Sequence, residues 1–450
     1  MDAFADKLGR VGAWCGQNKY LSAIKNAFQN FMPATIAGAM GVLWTNVLVH
    51  DTTGLGAIWH PIMALEVLNP IFAAIQFATI SCIAIGIVML VGQEIATANG
   101  EVGAYPAVLS FVAWLVVTPV STQAWLNADG TFGAGTYLPE GIEAIGAFSG
   151  IGSSYTGATG LFTALIIGIL SMEVYGWLRR QDALKIKMPE QVPPGVARAF
   201  EVLIPSFLML IIVGGIGHAL YLATGLYLND LISHYIQEPL THIIGNNIIA
   251  VLFMYLLISL FWLVGIHGNN MLAAVKEPIF RPLLVANTLI FTGKQTGEYN
   301  TMNLTMLQMF GEFGGSGLTF GLVIAIFLFS KREDNRAIAA LSVVPGLFNI
   351  NETMTFGIPL VLNPILGIPF ILAPMACVFV GYLLINMHFC PPVVIEVPWT
   401  MPPVFLGFLA TGGSIMGAVS QLIVIVLDVV IYIPFLIAYE KFQNKQAQEA

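Results

Sequence analysis

The strongest constraint on this chain is a repeated stretch of roughly twenty mainly apolar residues, the helix length that crosses a hydrocarbon core about 30 Å thick. Such stretches lie near 31–49, 70–92, 104–121, 157–178, 202–224, 247–265, 316–330, 365–386 and 418–439. A soluble globule cannot hide so many. Charged residues make up 9% of the 450, against roughly 25% in an ordinary soluble domain, so there are too few to coat the particle. The expected fold is an all-α polytopic membrane protein of about ten transmembrane helices, since helices satisfy their own backbone groups in lipid. The segments 272–292, 334–362 and 404–416 are apolar but broken by Pro, Gly, Asn or charge. A tenth crossing or re-entry is expected among them, with 272–292 the first choice.

Basic residues orient such a chain, because they collect on the cytoplasmic side. Lys7, Arg10, Lys19 and Lys25 alternate with apolar residues at helical spacing over the first thirty positions, which predicts an interfacial amphipathic helix over 1–30. No signal-peptide pattern is present there. A second cluster spans Arg179 to Arg198, a third holds Lys331, Arg332 and Arg336, and Lys441 and Lys445 lie near the end. Placing all of them on one side puts both termini in the cytoplasm. The polar stretch 179–199, with Pro189, Pro193 and Pro194, reads as a domain boundary. Hydrophobic segments after it are repeatedly interrupted, so function is expected in the second half, where broken helices expose backbone to a substrate.

Several function classes are excluded. Seventeen basic against twenty-five acidic residues give no dense positive surface for nucleic acid. Cys15, Cys82, Cys377 and Cys390 are far apart and match no metal or disulfide pattern, so no metal site is expected. No nucleotide loop or nucleophile elbow appears, and no cofactor is expected. Energy for transport must then come from an ion gradient or from a partner protein.

Four segments carry the polar chemistry. Gly265-Ile266-His267-Gly268-Asn269-Asn270 closes an apolar run and presents an imidazole between glycines, where backbone can approach a ligand; the plainer reading is a helix-terminal histidine bonded to a neighbouring carbonyl. Phe348-Asn349-Ile350-Asn351-Glu352-Thr353 sits between Pro345-Gly346 and Gly357-Ile358-Pro359, the pattern of a re-entrant hairpin tip. A carboxylate at membrane depth is costly without a partner, which makes Glu352 a functional candidate; a surface loop is the alternative. Glu396 and Trp399, in the proline-fixed segment 388–400, combine acid and aromatic groups as a saccharide site does, although an interfacial tryptophan belt fits too. Asp428 lies within an apolar span and must face protein, either as an ion-coupling carboxylate or as a buried hydrogen-bonding group. Glu94 and Glu173, near span ends, read as interfacial. Gly314-Gly315-Ser316-Gly317 opens a helix and suits close helix packing better than anion binding.

Taken in order, Met32-Pro33-Ala34-Thr35-Ile36-Ala37-Gly38-Ala39-Met40, Gly265-Ile266-His267-Gly268, Gly314-Gly315-Ser316-Gly317, Asn349-Ile350-Asn351-Glu352 with Phe356-Gly357, and Pro398-Trp399-Thr400-Met401-Pro402 resemble a known membrane family. It is the IIC component of the bacterial phosphoenolpyruvate-dependent sugar phosphotransferase system, in the lactose/cellobiose/N,N'-diacetylchitobiose group. The resemblance implies a bacterial inner-membrane permease with an N-terminal scaffold that forms a homodimer, 31–227, and a C-terminal domain, 228–440, holding sugar between two re-entrant hairpins; 441–450 is a polar tail. It implies a β-linked disaccharide as substrate, membrane lipid as surroundings, and a separate cytoplasmic IIB protein whose phosphocysteine supplies the phosphoryl group. The chain itself needs no phosphorylated residue. His267, Gly268, Asn269, Asn351, Glu352, Glu396 and Trp399 would bind the sugar, with Glu352 as catalytic residue beside the hydroxyl to be phosphorylated, where a carboxylate can accept its proton.

Thr353 stands where chitobiose-type members commonly have proline. A short polar tail without an appended IIB domain favours a cellobiose- or chitobiose-like system of separate subunits. The competing reading is an ion-coupled symporter with Asp428 or Glu352 as proton site; a membrane enzyme acting on lipid-linked sugars lacks a visible metal or nucleophile constellation.

Overall fold

The computed structural model describes residues 10, 14, 17–51, 55–127, 132–139, 142–189 and 191–449. Contacts gather the chain into two compact units: one of Lys19–Ala34 and Phe77–Pro239, the other containing Thr35–Gln76 and Leu240–Ala450. Relative to a sequence boundary at 227/228, residues 35–76 join the C-terminal unit and 228–239 stay with the N-terminal one.

The N-terminal unit begins with Lys19–Ala34, the first part of α1 (Lys19–Leu43), a helix that runs straight through the expected division at residue 30. Nearly half of the predicted amphipathic helix lies outside the described residues, and its last part, from Lys19, is the first turns of α1. Lys19 has no need of an interface: its ammonium sits 2.5 Å from Glu173 and donates to Asn99 at 3.1 Å. Glu173 and Glu94 are likewise internal partners, the latter accepting from Asn26 at 2.9 Å.

The single span expected at 70–92 is two segments. A helical stretch over His60–Ser81 ends at Cys82, whose backbone leaves the helical region, and α2 (Ile83–Ala98) starts anew. Apolar composition continues across that break, so it leaves no mark in hydropathy. After α2 come α3 (Tyr105–Val116), α4 (Leu161–Arg179) and α5 (Pro194–Thr224), the last started by Pro194, whose missing N–H costs nothing in a first turn. Ile83, Ile87, Val91 and Ile95, four residues apart on α2, are fully buried against Trp114 of α3 and Leu161, Ala164 and Met172 of α4. Gly168 lets α4 approach closely; a Cβ there would stand 3.1 Å from Val91. Small residues at such crossings are how helices pack when lipid is as apolar as their own side chains. Charges sit at the ends, where Arg179 bridges Glu101 at 3.1 Å and Glu201 at 2.8 Å.

The all-α expectation needs one correction. Between α3 and α4 lies a three-stranded antiparallel sheet, in the order β2-β1-β3, of β1 (Ser121–Leu126), β2 (Phe132–Gly135) and β3 (Gly146–Ser149), with Ala124 opposite Ala134 and Gln123 opposite Ala147. These strands lie in a glycine-rich connection that follows the apolar stretch 104–121, with β1 paired to both neighbours.

In the C-terminal unit follow α6 (Ile248–Leu263), α7 (Gly268–Phe291), α8 (Leu304–Gly311), α9 (Thr319–Phe329), α10 (Glu333–Leu347), α11 (Glu352–Gly357), α12 (Gly367–Asn386), α13 (Phe405–Ala410) and α14 (Ile415–Glu449). Both α9 and α12 pack along α14. The broken segment 272–292 is the continuous helix α7, which carries Pro278 and Pro282 and buries Lys276 and Arg281. At the start of α10, Arg332 pairs with Asp334 at 2.6 Å and donates to Asn444 at 2.7 Å, which ties the third basic cluster to the end of α14. Among the described residues seven helical segments are long and apolar enough to cross a membrane, eight if a bent pair ending in α6 counts as one, and α2 and α3 are shorter apolar helices.

Candidate functional site

Three turns of the C-terminal unit converge. At the first, α6 ends at Gly265, whose φ of +81° is open to glycine, and α7 begins with His267 as its cap. The His267 Nδ1 accepts from the Asn270 amide at 3.3 Å, so in the neutral ring the proton is on Nε2, which remains to donate elsewhere. Its ring lies 4.6 Å from that of Trp262. Gly268 serves the crossing of the two helices: a Cβ there would stand 2.0 Å from the Ile258 carbonyl oxygen.

The second turn is 314–317, between α8 and α9. Gly314, Gly315 and Gly317 have φ of +68°, +88° and +75°. A Cβ on Gly315 would lie 2.6 Å from the Asn351 side chain, and one on Gly317 2.2 Å from the Phe370 ring. The glycines are thus required by left-handed backbone and close approach together, in line with the packing role expected for this motif.

At the third turn the chain reverses between α10 and α11. Asn349 adopts φ +63°, a conformation asparagine tolerates better than most residues. Its Oδ1 accepts from the Gly314 amide at 2.6 Å, while its Nδ2 donates to the carbonyls of Trp399 at 2.5 Å and Met401 at 3.1 Å. Buried Asn351 donates to the Ser316 carbonyl at 2.7 Å, and Asn269 donates to the Ser316 hydroxyl at 3.0 Å. Ser316 is therefore where the His267 and Glu352 segments meet.

Glu352 opens α11 with its side chain exposed and without a hydrogen-bond or ion-pair partner among the described residues. Its charge is felt by His267, as are those of Glu312 and Lys276. A carboxylate left free can accept a proton from a ligand hydroxyl, and an imidazole with a free N–H can donate to another ligand oxygen.

Beneath these turns is a charge pair that hydropathy and motif reading did not assign. The buried Lys276 ammonium is 2.6 Å from Glu312 Oε1 and donates to Asn269 Oδ1 at 3.3 Å. The Tyr255 hydroxyl donates to the Leu307 carbonyl at 2.9 Å. Lys276 and Glu277 were visible as charges interrupting an apolar segment. The partner of Lys276 lies 36 residues along the chain, and no local signal names it, whereas Glu277 pairs with Arg281 one turn on in the same helix.

Glu396 is placed differently from the other predicted residues. Both its oxygens accept from Arg281 Nη1, at 2.7 and 2.8 Å, and Oε1 also accepts from Thr35 at 3.2 Å; Arg281 in turn pairs with Glu277 at 2.7 Å. Along α7, Arg281 is roughly 20 Å of helix rise from His267. The neighbouring backbone is also secured from within, with Val393 and Val394 carbonyls accepting from Asn287, Asn303 and Thr288. Trp399 is 43% exposed and reaches the third turn through its carbonyl, leaving the indole uncovered. Asp428 is fully buried, with no side chain hydrogen-bonded to either carboxyl oxygen among the described residues.

The chain is similar over nearly its whole length to known membrane transport components. It is 33% identical to the cellobiose-specific EIIC component of Lactococcus lactis subsp. lactis, over 97% of each chain. With the oligo-beta-mannoside-specific EIIC component of Bacillus subtilis it shares 32% identity over 96% of this chain and 92% of the relative. The crystal structure of the transporter ChbC, the IIC component from the N,N'-diacetylchitobiose-specific phosphotransferase system, matches with a TM-score of 0.86 at 30% identity, over 98% of both chains. The family model described as phosphotransferase system, EIIC matches residues 25–374, so the polar turns described above are those of a chain that belongs to the phosphotransferase system EIIC family.

Proposed function

We propose that this chain carries a β-linked disaccharide of the cellobiose or diacetylchitobiose kind across the bacterial inner membrane and presents it for phosphorylation by a separate cytoplasmic IIB protein. The observation that carries the reading is Glu352, an uncommitted carboxylate next in sequence to Asn351, where the His267 and Glu352 segments meet through Asn269 and Asn351 on Ser316. The sugars named for the similar EIIC components support the substrate class. They do not favour the ion-coupled symport alternative.

In the proposed step, Glu352 accepts the proton of the sugar's C6 hydroxyl as that oxygen attacks the phosphorus of the IIB phosphocysteine. An O–P bond forms, the S–P bond breaks, and the cysteine leaves as thiolate. His267 donates from Nε2 to a sugar oxygen, Asn269 and Asn351 bind hydroxyls, and Trp399 offers its uncovered indole to the C–H face of a ring. Glu396, held by Arg281 and Thr35, fixes the segment that bears Trp399.

The same reading makes the turns at 264–268 and 348–351 the tips of two re-entrant hairpins among about ten crossings. The N-terminal unit serves as homodimer scaffold and the C-terminal unit as the sugar carrier, moving in an elevator-like manner. The contact between Arg332 and Asn444 supports one side, the cytoplasm, for the third basic cluster and the C-terminal tail. Purified protein titrated with a panel of disaccharides is expected to bind β-linked ones selectively. Vesicles containing it should accumulate sugar phosphate only with IIB and a phosphoenolpyruvate supply; equal phosphorylation without IIB would overturn the reading.

A further inference from the structure

Helix α14 is apolar through the middle of its length except for Asp428, and one turn later it carries Tyr432. Residues four apart share a helix face, and both side chains are fully buried. What they meet is the segment that runs from the glycine turn into α9. The Tyr432 hydroxyl donates to the Gly317 carbonyl at 2.6 Å. Asp428 lies directly on Gly321, in the first turn of α9, where a Cβ would stand 2.1 Å from its Oδ2. Besides Gly321, the groups that bear on this carboxyl are Cys377 on α12 and Tyr432 on its own helix. None is a cation, and no side chain hydrogen-bonds to either carboxyl oxygen among the described residues; the polar group facing it is the Gly321 backbone. In such a setting a carboxyl group serves through shape and volume, because an isolated buried charge is too costly to maintain.

The residue between these two anchors and the proposed site is Ser316, next in sequence to Gly317. A glycine turn has no side chains of its own with which to hold itself, so its position is set by what grips its backbone. We infer that Asp428 and Tyr432 are positioning residues for sugar binding: they fix the 314–317 turn, and through Ser316 they set the places of Asn269 and Asn351. This rests on the reading of Asn269 and Asn351 as sugar ligands. It gives Asp428 a role other than ion coupling, and it extends the binding site to a helix that does not touch the sugar.

The test uses the full chain in detergent, titrated calorimetrically with whichever of cellobiose, diacetylchitobiose and β-mannobiose the unsubstituted protein binds tightest, with thermal melting in parallel. Tyr432→Phe removes one hydrogen bond and no volume, and should weaken binding about fivefold, the scale of one neutral hydrogen bond. Ser316→Ala, which removes only the hydroxyl that receives Asn269, should act similarly. Asp428→Ala empties the space over Gly321 and should weaken binding by at least as much, and Asp428→Asn, of the same shape without the charge, should recover most of that loss. In the Asn351→Ala background Tyr432→Phe should cost little further, since both changes interrupt one path. Additive losses from Asn351→Ala and Tyr432→Phe, or an Asn variant at 428 as weak as the Ala variant, would overturn the inference. If Asn351→Ala and His267→Ala bind as tightly as the parent, the site reading itself fails; if those two weaken binding and the α14 variants do not, only the positioning role fails.

Discussion

The two units bury different things. In the N-terminal unit the interior is a continuous apolar cluster from Ala23 to Val213, and its ion pairs, Lys19 with Glu173 and Arg179 with Glu101 and Glu201, keep part of their surface open. In the C-terminal unit Lys276 and Arg281 lie almost wholly inside, paired with Glu312, Glu277 and Glu396, and three turns are held by asparagine and serine side chains. An apolar interior of this kind can be made of shape alone. A unit that must hold a polyhydroxylated ligand needs polar groups inside the membrane, and each of those must be matched, because an unmatched one costs several kcal/mol. Two carboxyl groups near the turns have no side-chain partner among the described residues: Asp428, which is buried, and Glu352, which is exposed.

The contrast can be broken most forcefully at Arg281. Arg281→Met strands Glu277 and Glu396, and should lower stability by about 3–5 kcal/mol, seen as a large drop in melting temperature of detergent-solubilised protein. A change below about 1 kcal/mol, the range of exposed pairs, would mean the pair is not buried as described.

Next in size is Glu352→Gln. It should reduce IIB-dependent phosphorylation in vesicles by about 100-fold or more, the usual contribution of a positioned base, while calorimetric sugar affinity changes by no more than roughly threefold, under 1 kcal/mol. Unchanged turnover would remove Glu352 from the chemistry.

The N-terminal unit is tested by Gly168→Val, which forces bulk into the α2–α4 crossing and should cost about 1–3 kcal/mol, measured by melting, with KM for the sugar unaltered in the folded fraction. Smallest is Lys19→Met. Its pair with Glu173 is about one-third open to solvent, 34% and 26% exposed, so the expected loss is about 0–1 kcal/mol. A loss as large as that at Arg281 would erase the distinction between the units.

Much of this was legible in the sequence wherever the signal is local. The stretches 247–265 and 365–386 became α6, Ile248–Leu263, and α12, Gly367–Asn386, because hydrophobic length alone specifies a helix in lipid. The turn glycines and asparagines were readable for a similar reason, since left-handed backbone at Gly265, Gly314 and Asn349 demands those residue types. The stretch at 70–92 misled because the chain breaks at Cys82 with no change in hydropathy. The sheet over 121–149 was missed because attention to apolar length passes over a glycine-rich connection. The partners of Lys276 and Arg281 were invisible for a deeper reason: Glu312 and Glu396 lie 36 and 115 residues away, and a pairing across that distance has no periodicity to betray it. Even the His267 and Glu352 segments were linked in the sequence only by resemblance, whereas the fold joins them through Ser316.

Arg281 also carries a lesson about synthesis. Its carboxylate partners are Glu277, four residues away on its own helix, and Glu396, 115 residues further on, whose carboxylate also accepts from Thr35 of the first motif. A ribosome delivers the arginine long before it delivers Glu396. Throughout that interval the arginine has Glu277, on the same helix, as its carboxylate partner, and the latch that closes this unit can snap shut only after Glu396 has been made.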